Sequence, residues 1–498
     1  MSVTNATRAA EQSVTTHQDA AYQNLIGGKW QPASDGRTLD MVSPSDGQVF
    51  ARIARGTGAD VDSAVKAARH AFEEGAWGKL TAIERGRLMA KLGEAILANH
   101  EELSQLEARD CGKPMKQARA DITAAARYFE FYGAAADKVH GETIPFLDGY
   151  MVTILREAKG VTGHIIPWNY PAQMFGRSLA PALAMGNAVV MKPAEEACVA
   201  PLRLAQLAQE AGFPPGALNV VTGIGEEAGA ALAAHPGIAF LSFTGSPEVG
   251  TLVQKAAAEN HIGCTLELGG KSPQIVFEDA DFDAAVPTVV NAIVQNGGQT
   301  CSAGSRVLVQ KSIYDQFVTA VAARFKLLRV GSHAMDLDCG PLISAKQKKR
   351  VLGFIEQAKK DGVPVLAEAK VADGTPADGF YVAPVLFGPV PRENQLACEE
   401  VFGPVLSIIP FDDEADAIKL ANSTDYGLVA GIWTRDGGRQ MRVAKKMHCG
   451  QVFVNGYGAG GGIELPFGGV KKSGHGREKG MEALHEFSHT KTIVFKHG

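Results

Sequence analysis

Apolar residues recur at intervals of three and four positions between residues 84 and 108. They alternate with Glu, Arg and Lys, and the stripe is formed by Leu88, Met89, Leu92, Ile96, Leu97, Leu103 and Leu106. This spacing predicts an amphipathic helix with one buried face, because such positions lie on the same side of a helix. We interpret the stripe as hydrophobic core with no further role.

Short apolar runs begin at residue 161 and predict buried strands. They cover residues 161–166, 188–191, 218–221 and 239–243. Stretches rich in Ala and Leu, such as residues 202–211, separate the runs and favour helices. This alternation is typical of β-α units around a parallel sheet. Because ligands bind beyond the carboxyl ends of such strands, the residues directly after each run are expected to contact a ligand.

A second series of β-α units is predicted from about residue 263. Its candidate strands are residues 272–277 and 306–310, and its candidate helix is residues 312–325. Near the end of the chain, residues 492–495 read Thr-Ile-Val-Phe and predict a further strand. The pattern therefore predicts an α/β protein.

Composition agrees with this picture and excludes one class of partner. Of 498 residues, 45% are apolar and 21% charged, which is typical of a soluble globular protein with two or more domains. The formal net charge is -5, and the Lys and Arg residues are scattered along the chain. Since no basic stripe is available to neutralise phosphates, nucleic acid is not expected as a partner.

The cysteines and the N-terminal segment bear on the compartment. The 7 cysteines lie at wide spacings without a Cys-x-x-Cys pair, which argues against a disulfide framework or a structural zinc site. Residues 1–20 are polar and are expected to form a flexible tail. No apolar run approaches the length of about 18 residues that a membrane span needs. We therefore expect a soluble cytoplasmic protein with no membrane partner and no bound metal.

Candidate chemistry is found in two Gly-rich segments. Cys301 lies in Gln-Thr-Cys-Ser-Ala-Gly and offers a thiol nucleophile, and Glu267 directly precedes Leu268, Gly269 and Gly270 and offers a carboxylate base. Small neighbours leave a thiol accessible, and a tight turn lets the carboxylate approach it. Taken alone, a free cysteine is more often a small buried hydrophobe.

Short segments that combine Gly or Pro with functional side chains are spread over most of the chain. They read PWNYP at 167–171, KPAE at 192–195, FTGS at 243–246, LELGGK at 266–271, QTCSAG at 299–304, EEVFGP at 399–404 and PFGG at 466–469. In this order they resemble the NAD(P)-dependent aldehyde dehydrogenase superfamily. The resemblance runs from about residue 22 to the C-terminus and favours the interpretation of Cys301 as a nucleophile.

The resemblance implies a fold and its division into domains. It implies a Rossmann-like NAD-binding domain formed by residues 21–130 and 151–262, and an α/β catalytic domain formed by residues 263–484. Residues 131–150 and 485–498 would form a β-strand oligomerisation arm, so that a homodimer or homotetramer is expected. The glycines at 223, 225 and 229 are spaced one residue wider than the usual dinucleotide fingerprint, a departure that the family shares.

The resemblance also implies a mechanism. Cys301 would form a thiohemiacetal with an aldehyde, with the negative oxygen held by the Asn169 side-chain amide and the main-chain N–H of Cys301. Glu267 would then deprotonate the water that hydrolyses the thioester, and its presence favours a free carboxylic acid over transfer to coenzyme A. Glu478 matches a position linked to proton relay, although a surface ion pair with Arg477 or Lys479 would explain it as well.

For the cofactor, the resemblance implies NAD in preference to NADP. Lys192 and Glu195 would contact the adenosine ribose, where a carboxylate accepts hydrogen bonds from hydroxyls and repels a 2′-phosphate. Glu196 lies beside Glu195, so one of the two carboxylates is open to interpretation as a solvated surface charge. The other implied cofactor residues are Ile165, Pro167, Trp168, Gly225, Gly229, Phe243, Thr244, Gly245, Ser246, Glu400 and Phe402.

The substrate pocket gives opposed indications. Small residues in the loop 455–463 leave room for a bulky or aromatic aldehyde, with an expected lining of Tyr170, Met174, Ser302 and Phe467. Arg177 instead matches the arginine of branches that act on semialdehydes bearing a carboxylate, although a structural ion pair would explain it as well. Gln295 stands where the succinic semialdehyde branch has a second arginine, which weakens that alternative. A non-catalytic structural or binding protein would not need Asn169, Glu267 and Cys301 together.

Overall fold

The computed structural model describes residues 21–458 and 462–498, and the predicted tail at residues 1–20 lies outside the described residues. The strands, in chain order, are β1 (Asn24–Ile26), β2 (Lys29–Gln31), β3 (Thr38–Val42), β4 (Val49–Ala54), β5 (Glu142–Ile144), β6 (Tyr150–Ala158), β7 (Val161–Ile166), β8 (Ala188–Pro193), β9 (Leu218–Val220), β10 (Phe240–Thr244), β11 (Gly263–Glu267), β12 (Pro273–Val276), β13 (Arg306–Gln310), β14 (Arg329–Val330), β15 (Val365–Glu368), β16 (Lys370–Val371), β17 (Val385–Phe387), β18 (Val405–Phe411), β19 (Tyr426–Gly427), β20 (Val429–Trp433), β21 (Gln451–Val454), β22 (Val470–Lys471), β23 (Gly474–His475) and β24 (Ser488–Lys496).

The α-helices are α1 (Gly58–Glu73), α2 (Ala82–Ala98), α3 (His100–Cys111), α4 (Met115–Ala135), α5 (Pro171–Ala184), α6 (Val199–Glu210), α7 (Ala230–Ala233), α8 (Pro247–Glu259), α9 (Phe282–Val294), α10 (Tyr314–Phe325), α11 (Ala345–Lys360), α12 (Gln395–Cys398), α13 (Glu414–Ala421), α14 (Gly437–Lys446) and α15 (Glu482–Glu486). Side-chain caps begin several of them. Thr57 and Thr81 form capping boxes at α1 and α2, which satisfy backbone N–H groups of the first turn. None of the helices in the described part of the chain is long and apolar enough to cross a membrane.

The first large sheet has eight strands in the order β2-β1-β9-β8-β7-β10-β11-β23. The five central strands, from β9 to β11, run parallel, and antiparallel strands extend the sheet on both sides. The predicted runs at 161–166, 188–191, 218–221 and 239–243 coincide with β7 to β10. These strands are buried on both faces, which explains their nearly continuous apolar sequence.

The second large sheet has seven strands in the order β15-β17-β18-β13-β12-β20-β21. All of its pairs are parallel except that between β15 and β17. One hydrophobic cluster includes Ile275 and Phe411, and a second includes Val276 and Val309. Both large sheets are therefore mixed or parallel with helices beside them, and the predicted α/β fold class is confirmed.

Three of the predicted domain boundaries fall inside elements of secondary structure or sheets. The boundary at residue 131 falls inside α4, and the one at 151 falls inside β6, which pairs with β5 and β24 in a separate antiparallel sheet. The boundary at 263 separates β11 from its sheet, although β11 runs parallel to β10 over its whole length. The sequence does not display this pairing between distant segments, and the division into domains stays a prediction.

The helix predicted between residues 84 and 108 is divided. Asn99 ends α2 with φ −107° and ψ 24°, and α3 begins at His100. The Asn99 side chain donates from Nδ2 to the carbonyl of Ala95 at 2.8 Å and so satisfies an acceptor of the last turn. Leu97 is exposed next to this break, whereas the other apolar positions of the stripe are buried or half-buried, so the core interpretation needs this single correction.

Candidate active site

The strand order of the first large sheet reverses at β7. The chain runs from β7 to β8 and β9 on one side, and β10 and β11 lie on the other. Ligands bind at such a switch point, beyond the carboxyl ends of the strands. Asn169 follows β7, Ser246 follows β10, and Glu267 ends β11. The topology therefore brings three of the predicted site residues to one edge of the sheet.

Cys301 lies in the turn before β13 and contacts the loop that follows Glu267. A Cβ at Gly270 would lie 2.4 Å from the carbonyl oxygen of Cys301, so only glycine permits this approach. The thiol packs beside Leu428, Val429 and Phe467. Removal from water raises the pKa of Cys301 to about 12, and the Arg177 charge offsets only part of this rise. The resting side chain is a thiol, which needs a base before it can attack.

Asn169 is fixed next to the nucleophile turn. Its side-chain Nδ2 donates to the carbonyl of Gln299 at 2.8 Å, and the neighbouring hydroxyls of Tyr170 and Thr300 lie 2.8 Å apart. Gln299 and Thr300 directly precede Cys301. An amide nitrogen carries two N–H groups, and the bond to Gln299 uses one. The other has no acceptor among the residues that the structure describes.

The Glu267 carboxylate is buried beside the same turn. Neither of its oxygens accepts a hydrogen bond from the described residues. Its nearest cation is Arg177, whose Nη2 lies 3.3 Å from Oε2. Burial raises the pKa of Glu267 well above its usual range, and the Arg177 charge opposes this effect. A buried carboxylate without hydrogen bonds is costly, and a raised pKa suits a group that must take up a proton.

Arg177 lies between two buried carboxylates. Besides its contact with Glu267, its Nε forms a close ion pair with Oε2 of Glu478, and its guanidinium lies 4.3 Å from the centre of the Phe467 ring. Burial by itself lowers the pKa of Arg177, but the charges of Glu478 and Glu267 outweigh it and raise the pKa. The semialdehyde alternative needs the Arg177 guanidinium to bind a carboxylate of the substrate. In the structure this guanidinium is already paired with two carboxylates of the protein.

Glu478 is a buried member of this cluster, so its interpretation as a surface ion pair is wrong. Its side chain is 2% exposed. Its Oε1 accepts from the hydroxyl of Ser242 at 3.1 Å, and that hydroxyl lies 3.0 Å from the hydroxyl of Ser178. The Ser178 hydroxyl in turn lies 2.7 Å from Nδ1 of His164. Burial lowers the pKa of His164 to about 3, so this ring is neutral.

Two members of this series of hydrogen bonds are recognisable in the sequence. His164 and Ser242 are polar residues inside the apolar runs that became β7 and β10. A polar group in a strand that is buried on both faces must find a partner, because an unpaired buried donor or acceptor is costly. Their partners come from different elements, so the sequence alone did not identify them.

Lys192 and Glu195 form a pair at the carboxyl end of β8. Nζ of Lys192 lies 2.5 Å from Oε2 of Glu195, and the backbone N–H of Gly225 donates to Oε1 at 3.3 Å. Burial alone raises the pKa of Glu195, but Lys192 outweighs it and the pKa is lowered. An ionised carboxylate at this edge can accept hydrogen bonds from hydroxyl groups. Glu196 is exposed, so it is the solvated neighbour that the sequence left open.

The backbone beside this pair is open at two glycines. Gly225–Gly229 forms a single π-helical turn, which accommodates the extra residue of the wide glycine spacing. A Cβ at Gly225 would meet no atom within 4 Å, and one at Gly229 would meet only Cδ of Lys192, at 4.0 Å. Thr244 has a buried hydroxyl with no hydrogen-bond partner in the described part of the chain. These features fit a polar ligand that approaches the backbone closely.

Ser246 is the N-cap residue of α8, and the N-terminus of this helix can bind an anion. The Ser246 hydroxyl accepts from the N–H of Val249 at 3.3 Å, and Pro247 occupies the first helical position. The N-terminus of a helix of this length attracts phosphate groups through its N–H groups and its dipole. The residues at this edge therefore fit the pyrophosphate of a dinucleotide.

The last predicted cofactor residues connect this edge to the loop after Glu267. Glu400 accepts through Oε1 from the N–H of Gly270 at 2.8 Å, and burial raises its pKa to about 7. Phe402 has a left-handed φ of 58°, and its ring packs edge-on against Trp168 at 5.4 Å. The others lie on or directly after β7 and β10, and they are Ile165, Pro167, Phe243 and Gly245.

The predicted pocket residues divide into two groups. Met174 and Phe467 are buried, and Tyr170 is half-buried beside the nucleophile turn, whereas Gln295 is exposed at the end of α9. Ser302 accepts through its carbonyl from the hydroxyl of Tyr457 at 2.8 Å. The positions 459–461 of the predicted small-residue loop lie outside the described residues.

Tyr457 was not predicted as a pocket residue, although it belongs to the loop that was expected to leave room. It packs in the same apolar cluster as Cys301, Phe453 and Phe467. A Cβ at Gly456 or Gly458, on either side of it, would meet no atom within 4 Å. An aromatic side chain between open glycine positions therefore borders the nucleophile. The sequence shows that the loop is rich in glycine, but it does not show where the Tyr457 side chain lies.

Comparisons with known proteins find relatives over nearly the whole chain. Residues 30–493 match the model of the aldehyde dehydrogenase family. Retinal dehydrogenase 2 of Homo sapiens is 40% identical over 489 residues, which cover 97% of this chain and 94% of that protein. A crystal structure of a candidate aldehyde dehydrogenase from Burkholderia cenocepacia is 60% identical, covers 96% of this chain and 100% of that one, and superimposes with a TM-score of 0.95. The NAD⁺ complex of aldehyde dehydrogenase from Bacillus cereus is 40% identical, covers 97% of this chain and 98% of that one, and has a TM-score of 0.94.

Proposed function

Because the chain belongs to the aldehyde dehydrogenase family, we propose that it oxidises an aldehyde to the carboxylic acid with NAD as the hydride acceptor. The observation that carries the proposal is the convergence of three groups on one point. A thiol (Cys301), an amide donor (Asn169) and a buried carboxylate without hydrogen bonds (Glu267) come from separate segments. Together they provide a nucleophile, a site for a negative oxygen and a base.

In the first step the sulfur of Cys301 attacks the aldehyde carbon. The thiol proton passes to Glu267, a carbon–sulfur bond forms, and the carbonyl electron pair moves to the oxygen. The free N–H of the Asn169 amide and the main-chain N–H of Cys301 hold that oxygen. Glu267 suits the proton transfer because burial raises its pKa towards that of the thiol.

Release of the acid requires water. When bound, NAD accepts the hydride that leaves the tetrahedral carbon. After Glu267 has released the thiol proton to solvent, it takes a proton from the water that attacks the resulting thioester; the carbon–sulfur bond then breaks, and the sulfur receives this proton from Glu267, which regenerates the thiol of Cys301. Arg177 stabilises the charge of Glu267, and Glu478 holds the Arg177 guanidinium through its own ion pair.

The residues that would hold NAD follow from the edge of the first sheet. Glu195, oriented by Lys192, would accept hydrogen bonds from the adenosine ribose, and its charge would repel a 2′-phosphate. Ser246 and the first turn of α8 would face the pyrophosphate. Glu400 and Phe402 would contact the nicotinamide side. The NAD⁺ complex of the Bacillus cereus relative supports NAD as the cofactor.

We favour an apolar, bulky or aromatic aldehyde as substrate. The side chains beside Cys301 are apolar or aromatic and include Phe453, Tyr457 and Phe467. The semialdehyde alternative has less support, because Arg177 is paired with two carboxylates and Gln295 is uncharged and exposed.

We also propose assembly through the small antiparallel sheet. Its strands β6 and β24 expose Met151, Leu155, Val494 and Phe495, which would be covered in a homodimer or homotetramer. A cytoplasmic location stays a proposal based on cysteine usage and composition.

The proposal is tested by following NADH formation at 340 nm with a panel of aldehydes. We expect turnover by the wild-type protein and none by Cys301→Ala, because no other thiol is placed to form the acyl-enzyme. Cys449→Ala is the matched control and should retain activity. Persistent NADH formation by Cys301→Ala would place the nucleophile elsewhere, and absence of turnover with every aldehyde would refute the proposed function.

A further inference from the structure

Lys113 is a buried lysine close to the site to which the sequence gave no role. It lies in the loop between α3 and α4, and its side chain is 0% exposed. Its Nζ lies 2.9 Å from Oε1 of Glu107, 2.5 Å from Oδ2 of Asp121 and 3.0 Å from the backbone carbonyl oxygen of Asn169. An ammonium group has three N–H donors, so each has an acceptor, and one of these acceptors belongs to an active-site residue.

The two carboxylates that accept from Lys113 also bind the residues that follow Asn169. The second oxygen of Glu107 accepts from the backbone N–H of Ala172 at 3.2 Å. The second oxygen of Asp121 accepts from the side chain of Gln173 at 2.6 Å. The ion cluster thus holds the start of α5 at several points, but only the ammonium contacts Asn169.

Lys113 keeps its charge in this position. Burial alone lowers the pKa of the amine, but Asp121 and Glu107 outweigh it and raise the pKa well above its usual value. The ammonium also lies 4.5 Å from the centre of the Tyr170 ring, on the residue directly after Asn169. Charged donors form shorter and stronger hydrogen bonds than neutral ones, so this contact constrains the Asn169 backbone effectively.

A second donor reaches the same carbonyl from the segment that follows α9. Nδ2 of Asn296 donates to the backbone oxygen of Asn169 at 2.8 Å. Asn296 has a left-handed φ of 49°, and its backbone N–H is held by Gln117 at 2.8 Å. The carbonyl of Asn169 is therefore held by two donors, while its side-chain amide is bonded to Gln299.

We propose that Lys113 is a positioning residue for the oxyanion. By holding the backbone carbonyl of Asn169, its ammonium fixes the direction in which the Asn169 side-chain amide meets the negative oxygen formed at Cys301. Asn296 supports the same carbonyl. This inference deepens the proposed function and rests on it, because the oxygen in question exists only if Cys301 attacks a carbonyl.

A double-mutant cycle distinguishes positioning from general stabilisation. The full-length protein is compared as wild type, Lys113→Met, Asn169→Ala and the double variant. The readouts are the single-turnover rate of NADH formation and, without NAD, the burst of p-nitrophenol released from a p-nitrophenyl ester, which reports acylation of Cys301 without hydride transfer or deacylation. We expect Lys113→Met to lower both rates by about tenfold or more with KM changed little, and the double variant to be no slower than Asn169→Ala.

Two further variants show whether a loss of activity in Lys113→Met comes from misfolding. Asn296→Gly removes the other donor to the same carbonyl and leaves the buried ions intact. Glycine adopts the left-handed φ of this position without strain. We expect it also to slow acylation in the wild-type background and to have no effect in the Asn169→Ala background. Gln173→Ala is the matched control, because it breaks a contact of the ion cluster without touching Asn169, and its small effect should be equal in both backgrounds.

The outcomes distinguish a failure of the inference on Lys113 from a failure of the proposed function. If the losses of Lys113→Met or Asn296→Gly persist unchanged in the Asn169→Ala background, these residues do not act through Asn169 and the inference is overturned. Unchanged acylation in both single variants would overturn it as well. If the wild-type protein itself forms no acyl-enzyme with an aldehyde or an ester, the proposed function fails, and this is seen without any variant.

Discussion

Replacing Arg177 by Met removes the positive charge that lies between two buried carboxylates. The Arg177 side chain is 11% exposed, and those of Glu267 and Glu478 are each 2% exposed. Removing one partner of a buried ion pair costs about 3–5 kcal/mol, because the other charge is left uncompensated. Loss of the contact with the Phe467 ring adds about 0.5–2 kcal/mol. We therefore expect the free energy of unfolding to fall by at least about 3 kcal/mol.

The same substitution should also lower the activity. Arg177 opposes the effect of burial on Glu267, so its loss raises the pKa of that carboxyl further. A base acts in its deprotonated form, and the acid side of the pH profile of kcat should therefore move to higher pH. Since the effect is on the base and not on the substrate, kcat should fall by a similar factor for an uncharged aromatic aldehyde and for a semialdehyde acid.

The assay combines urea unfolding, followed by tryptophan fluorescence, with kcat/KM for both aldehydes. Arg442→Met is the matched control, because Arg442 pairs with Glu414 at the surface and the unfolding midpoint should not move. The double variant Arg177→Met/Glu478→Gln should recover part of the lost stability. A loss of tenfold or more confined to the semialdehyde, with unchanged stability, would refute this reasoning and restore the semialdehyde alternative.

Further predictions concern the base, the cofactor and the thiol. Glu267→Gln should lower both the first-turnover burst of NADH and steady-state turnover, the latter by roughly 10²-fold, because Glu267 takes the thiol proton as well as the water proton; a full burst in stopped-flow traces with slow steady-state turnover would show that Glu267 acts in deacylation alone. Glu195→Ser should narrow the preference for NAD over NADP by about 1–3 kcal/mol in kcat/KM, whereas the neighbouring variant Glu196→Ser should not, and equal ratios in all three proteins would contradict the ribose assignment. Alkylation of Cys301 by iodoacetamide without NAD should accelerate about tenfold per pH unit up to at least pH 10, because the thiolate fraction grows until the pKa of about 12; a plateau near pH 8, read from mass spectra of the Cys301 peptide, would show that the thiol is more acidic than its burial implies.

The elements that the sequence predicted best are those whose environment is uniform. The run at 161–166 became β7 with the same limits, because a strand covered on both faces favours apolar residues and accepts a polar one, such as His164, only where that residue finds a partner. The residues after β7 and β10 were expected at a ligand site because parallel strands deliver their carboxyl ends to one edge. The roles of Cys301, Glu267 and Asn169 came from resemblance to a family, and the structure brings the three together.

The features that could not be predicted depend on pairing between distant segments. Arg177 reads equally well as a substrate clamp or as an ion-pair partner, since nothing near it in sequence shows that Glu267 and Glu478 flank it. The short strand β23 has two residues, too few for a periodic pattern, yet it extends the first sheet beside β11. The role of Lys113 is invisible for the same reason, because its acceptors come from three different segments.

The position of β23 and Glu478 late in the chain has a consequence for synthesis on the ribosome. Ser242 and Glu478 bond to each other across 236 positions, and β11 has no edge partner until β23 has been translated. A nascent chain that ends before this segment exposes an open strand edge and leaves Arg177 without the Glu478 carboxylate. The closing of the first sheet and the completion of the charged cluster beside Glu267 therefore both require residues 474–478, near the end of the chain.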